Sequence, residues 1–248
     1  MELLLILAAV ALGGLIKGLN GFGYALVSTS LLTFYMPAQE AVALIIIPLI
    51  IANIELTAEL DGKELKACLH RFKAYIATSF IGVAAGMLFI YYMPSLLLKK
   101  AVGLIVLGFV ASRTRKISQV FSTAKNFCVE NPRIEPLLGL FSGLVFGSTN
   151  AGVPIVAYFE ELQLPRQKFL SVMALTILGA SVIRLGLAYY LGLYSGTNKL
   201  LLSVVLGIIG LTAVKIGDIA GQKTSDKVTQ NISLLLLTVI GLRLLGTF

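Results

Sequence analysis

Two cations and two small polar clusters stand in stretches of this chain that are otherwise apolar. Lys17 lies in the run Gly14-Leu15-Ile16-Lys17-Gly18-Leu19-Asn20-Gly21-Phe22-Gly23. Ser148, Thr149 and Asn150 follow the run Gly139-Leu140-Phe141-Ser142-Gly143-Leu144-Val145-Phe146-Gly147. Arg184 sits mid-segment, with no acidic residue within one helical turn. An ionised side chain at bilayer depth is costly and marks a functional position by default. The chemistry on offer is capture of a small anion. A guanidinium grips an oxyanion through two parallel N–H bonds, and a lysine acts as a point charge. Asn20, Ser148, Thr149 and Asn150 add hydrogen-bonding side chains, while Gly21, Gly23 and Gly147 leave backbone N–H groups uncovered. The plainer reading makes the polar residues helix caps and lets Lys17 snorkel; capping and anion contact are compatible.

Weaker candidates surround these. Asn53 and Ser181 fall at helix middles. Asp218 follows Lys215 by one turn, so the two either neutralise each other or leave Asp218 to carry a coupling proton. Arg243 is close enough to the C-terminus to snorkel. Glu55 and Glu59 read as solvated groups at a cytoplasmic exit.

The elements that must position these residues are membrane helices. The chain has 248 residues, 57% hydrophobic and 13% charged, with a mean hydropathy of +0.92. Soluble domains carry roughly 25% charged residues, so a soluble globule is excluded. So is a membrane barrel, whose strands alternate apolar and polar residues. The net charge of +8 belongs to loops rather than to a nucleic-acid surface, since no basic stripe with interleaved aromatics occurs. Cys68 and Cys128, with the single histidine His70, cannot supply a four-ligand zinc site. They read as reduced loop thiols, and no cofactor is called for. The N-terminus lacks the basic flank of a signal peptide.

Apolar segments run over 2–16, 22–36, 40–56, 74–93, 95–112, 136–147, 152–162, 168–193, 199–220 and 228–247. The first two, at 15 residues, give about 22 Å of helix against a core near 30 Å. The pair 136–147 and 152–162 is shorter still. Each pair therefore reads as a re-entrant hairpin of half-helices, followed by three spanning helices. Loop cations support this. One face collects thirteen: Lys63, Lys66, Arg71, Lys73, Arg113, Arg115, Lys116, Lys125, Arg133, Arg166, Lys168, Lys223 and Lys227. The other has three: Lys99, Lys100 and Lys199. The positive-inside rule places the crowded face, with the 57–73 loop, in the cytoplasm and both termini outside.

A hairpin plus three spans is an odd number of crossings, so the second half enters the membrane inverted, a common plan of secondary transporters. Gly14 and Gly18 match Gly139 and Gly143, Pro37 matches Pro165, and Gly82-x-x-x-Gly86 matches Gly217-x-x-x-Gly221. The expected fold is all-α and polytopic, with two inverted repeats over 1–112 and 136–248 joined by a polar cytoplasmic linker, 113–135.

These paired glycine motifs, with the length near 250, resemble the sulfite exporter TauE/SafE family, also called the toluene sulfonate uptake permease family. The resemblance covers essentially the whole chain. It implies a cell-membrane transporter of small sulfur-containing anions such as sulfite or sulfonates, often moving them outward. The chain departs from the family's longer first glycine run by placing Phe22 and Tyr24 there, and Ser-Thr-Asn in the second break. Both changes narrow or repolarise the site. The expected partners are a small anion and the lipid bilayer, with no nucleic acid and room for assembly with copies of itself. The competing classes are an anion channel or a permease for another small anion or carboxylate. An enzyme would need a nucleophile, metal or reactive cysteine at membrane depth.

Overall fold

The computed structural model describes residues 2–21, 23–57, 62–112, 134–195, 198–223 and 226–246. Phe22, Glu59, Cys128 and nearly all of the 113–135 linker lie outside the described residues, as do the side chains of Asn20, Glu55 and Cys68.

The first glycine break separates α1 (Glu2–Asn20) from α2 (Tyr24–Leu32). The second separates α8 (Glu135–Thr149) from α9 (Val153–Glu161). Between them come α3 (Ala38–Leu44), α4 (Ile46–Thr57), α5 (Gly62–Arg71), α6 (Lys73–Tyr92) and α7 (Ser95–Ser112). The chain closes with α10 (Arg166–Tyr190), α11 (Lys199–Gln222) and α12 (Asp226–Leu245). No strand occurs among the described residues. Helices α6, α10 and α11 are long and apolar enough to cross a membrane.

Both second arms, α2 and α9, have nine residues, so each rises only about 13 Å. The first arms differ: α8 has 15 residues, while α1 has 19 because Lys17-Gly18-Leu19-Asn20 continue the helix past the expected end at residue 16. The expected 57–73 loop contains α5, whose Leu65, Cys68 and Leu69 recur at one-turn spacing, the signal of an amphipathic helix.

The surface is apolar and the interior is partly polar, the arrangement expected when lipid rather than water surrounds the protein. Phe141, Leu201, Ile208 and Ile216 are about 60% exposed. Lys17, Ser28, Thr29, Asn53, Ser181 and Arg184 are buried.

Glycine sets the tightest helix contacts, and they are exchanged between the halves. Helix α1 packs against α11, and α8 packs against α6. A Cβ on Gly14 or Gly18 would meet the α11 backbone near Gly210 and Gly217, and one on Gly217 would meet the α1 backbone at Leu15. In the same way Gly143 faces the backbone of Ser79, and Gly82 that of Leu140 and Leu144. Small residues at this spacing let backbones approach closely where lipid gives helices no hydrophobic reason to associate. The other strong contacts, α4 with α10 and α7 with α12, also join residues before the linker to residues after it.

The segment read as one span, 40–56, is broken at Ile45 into α3 and α4. Pro48 has no N–H to give the Leu44 carbonyl four residues earlier. Ser203 on α11 supplies the missing donor, its Oγ donating to Leu44 O at 2.7 Å. Tyr194 Oη donates to Ala43 O at 2.6 Å, and Asn150 Nδ2 to Val42 O at 3.0 Å. Three successive carbonyls at the end of α3 are thus met by side chains from the second half.

Two outcomes follow for purified protein in detergent, both read by thermal unfolding. Gly143→Ala, overpacked against Ser79, should destabilise by about 1–3 kcal/mol, whereas Gly186→Ala, where a Cβ meets nothing within 4 Å, should be neutral or gain up to about 1 kcal/mol. Ser203→Ala should cost about 1–3 kcal/mol by leaving the Leu44 carbonyl unpaired; unchanged melting would show that this bond is not needed at the break.

Candidate functional site

The two hairpin tips meet at one cavity. Its wall is built from the end of α1 (Lys17, Gly21), the start of α2 (Gly23 to Leu26) and α4 (Leu49, Asn53). Phe146 and Asn150 from the second tip, the start of α9 (Gly152, Val153, Val156) and Met173 and Ile177 of α10 close it. Its volume is about 40 Å³, room for roughly three waters.

The breaks follow from local backbone. Gly21 (φ 81°) and Gly23 (φ 98°) are left-handed, which glycine adopts without a Cβ penalty. In the second tip Asn150 takes that role with φ 62°, asparagine being the side-chain-bearing residue that tolerates it best. Gly23 is the N-cap of α2 and Gly152 that of α9, and neither cap has a side chain to bond the first turn. The first-turn N–H groups of a helix have no partner inside it. Tyr24, Ala25, Leu26 and Val153, which begin those two helices, line the cavity wall, where two positive dipole ends converge. Helix N-termini of this kind are anion seats.

Lys17 supplies the charge. It is 4% exposed, and its Nζ donates to Ala52 O at 2.7 Å and to Asn53 Oδ1 at 2.9 Å. Asn53 is oriented in turn by donating from Nδ2 to Leu49 O at 2.7 Å. Both lysine partners are neutral, so they orient the ammonium without cancelling its charge. An ammonium has three protons to give, which leaves one for a ligand.

The polar tip residues divide by role. Ser148 Oγ donates to Leu144 O and Thr149 Oγ1 to Val145 O, both back onto α8. Thr149 Oγ1 also accepts from Ala151 N at 3.2 Å. Neither side chain lines the cavity; both bond back onto their own helix. Asn150 lines it, yet its Nδ2 is committed to Thr29 Oγ1 at 2.7 Å and to Val42 O. Only Oδ1 is left without a partner, an acceptor rather than the expected donor.

The structure thus brings Lys17, Gly21, Gly23, Asn53 and Asn150 together, and keeps other expected residues apart. Gly147 packs on the Val83 backbone of α6. Asp218 is on the exposed side of α11, accepting from Gln222 Nε2 at 3.2 Å. Arg184 is fully buried but behind Phe146, whose ring centroid is 4.8 Å from its Cζ. Asn20 reaches the tip by its backbone position alone, its side chain lying outside the described residues. Sequence reading missed Phe146, Val156, Met173 and Ile177 as wall residues, since an apolar residue in an apolar helix carries no local mark of facing a cavity. It also missed the donors on Tyr24, Ala25, Leu26 and Val153, which exist only because two helices begin there.

The chain was compared with known proteins by family, by curated sequence and by solved structure. No curated protein and no solved structure matched. The family model described as sulfite exporter TauE/SafE matches residues 5–244. A match over nearly the full length, on a chain whose helices and buried charges suit a membrane, places this protein in the sulfite exporter TauE/SafE family.

Proposed function

We propose that the protein carries a small sulfur oxyanion, sulfite first and short organosulfonates next, across the cell membrane by alternating access around the tip cavity. The observation that carries this reading is the convergence of Lys17 with the first turns of α2 and α9 on one small cavity. Backbone N–H groups would bind the oxygens, and Lys17, held by Ala52 and Asn53, would balance the charge. The family to which the chain belongs points to the same class of substrate. The cavity volume favours sulfite over an aromatic sulfonate.

In this reading residues 1–112 and 136–248 are inverted repeats, each a re-entrant hairpin and three crossings. The reciprocal packing of α1 on α11 and α8 on α6 supports it, as do the equal lengths of α2 and α9. Helices α6 and α10 both open on cations and close on exposed tyrosine pairs, Tyr91–Tyr92 and Tyr189–Tyr190. Tyrosine collects at membrane interfaces, which agrees with both helices running from the cytoplasm outward and with outer termini. Rocking of the halves would expose the cavity to each side in turn. An anion leaving a negative-inside cell gains about 2.3 kcal/mol per charge per 100 mV, so export needs no coupling ion.

Flux into proteoliposomes tests this, with sulfite, sulfoacetate, sulfate and formate offered in parallel. Wild type should show saturable sulfite flux and counterflow, which a channel does not. Lys17→Gln should lower flux at low sulfite by about 10- to 100-fold, the equivalent of one charge-assisted hydrogen bond. Folded protein that moves none of the four anions overturns the substrate assignment.

A further inference from the structure

A second cavity, of about 120 Å³, lies beyond the break between α3 and α4. Its wall includes Glu40, Ala43, Leu44, Tyr194 and Lys199. On α10, Arg184 falls between Ile177, a wall residue of the tip cavity, and Ala188, which packs in one cluster with Tyr194 of the second cavity's wall. Its guanidinium carbon lies over the ring of Phe146, another wall residue of the tip cavity. Tyr194 is latched there by its bond to Ala43 O.

Arg184 is 0% exposed, and Nε and both terminal nitrogens lack any hydrogen-bond partner among the described residues. The Phe146 ring answers the positive charge through its quadrupole, but the N–H donors have no hydrogen-bond acceptor among the described residues. Ser181, one turn earlier on α10, is also fully buried with an unpartnered hydroxyl. Unpaired buried donors are expensive, and those of a charged group most of all. A planar fork of N–H groups beside a hydroxyl is a receptor for an oxyanion. At the rim of the second cavity Lys199 pairs with Glu40 at 3.1 Å, both part-exposed, placing a further cation at its mouth.

We propose that Arg184, with Ser181, is an intermediate anion station on a path joining the two cavities, and that Phe146 and Tyr194 are the side chains that open it from either end. This extends the anion-transport reading above and rests on it. An oxyanion leaving Lys17 and the helix N-termini would pass Phe146, be gripped by Arg184 in place of its missing partners, and leave past Tyr194 towards Lys199.

Accessibility tests the path without assuming the substrate. In protein carrying Cys68→Ala and Cys128→Ala, a small anionic methanethiosulfonate should modify Ser181→Cys and Arg184→Cys from both faces of the vesicle. Adding Phe146→Ala should speed modification from one face and Tyr194→Ala from the other. Ser181→Cys keeps the guanidinium, so a fold that fails without Arg184 does not remove the test. For sulfite, Arg184→Gln should lower flux about tenfold or more while binding stays within about threefold of wild type, since the tip seat is intact. Modification from one face only or from neither overturns the proposal, as does wild-type sulfite flux in Arg184→Gln. Modification from both faces in a protein that moves no sulfite keeps the station and removes only the sulfur assignment.

Discussion

A backbone group that leaves a helix inside lipid has no water to turn to, and this constraint shapes the molecule. Helix breaks among the described residues include those between α1 and α2, at Ile45, and at Asn150–Gly152. At Ile45 the freed carbonyls are met from the other half of the chain, by Asn150, Tyr194 and Ser203. At the two tips both helix-end carbonyls and first-turn N–H groups are freed, and the residues that begin α2 and α9 line a cavity.

The same partners lock the geometry. Asn150 caps its own helix through a left-handed backbone, while its amide ties that tip to Thr29 and Val42. One residue therefore sets the distance between the second hairpin and the first. Glycine contacts hold α1 and α8 close against α11 and α6. In this arrangement the starts of α2 and α9 lie on one cavity.

The two buried cations show two treatments of intramembrane charge. Lys17 is oriented by neutral acceptors and keeps one proton for the cavity. Arg184 is surrounded yet unbonded, held by an aromatic face. A compact ammonium suits a site that binds by charge and lets backbone N–H groups read the oxygens. A planar guanidinium suits one that must supply both the charge and the hydrogen bonds itself.

The sequence by itself determined the solvent, the helical class and the positions of the glycine breaks. Hydropathy and loop charge are one-dimensional, and each is the sum of many residues pointing the same way. It also marked Lys17 and Arg184, because a charge in an apolar run stands out whatever surrounds it. Glycine spacing marked where helices could approach closely, but not that Gly14 meets Gly210 and Gly18 meets Gly217 while Gly139 and Gly143 meet α6. Only the tertiary structure decided which polar groups face the cavity and which close on their own helix. Ser148, Thr149 and Asn150 read alike as a tripeptide, yet the first two bond α8 and the third spans the halves. The donors left for a ligand belong to backbone whose side chains are apolar, so no residue letter records them. Hydrogen-bond capacity is a property of a residue, whereas its vacancy depends on everything packed around it.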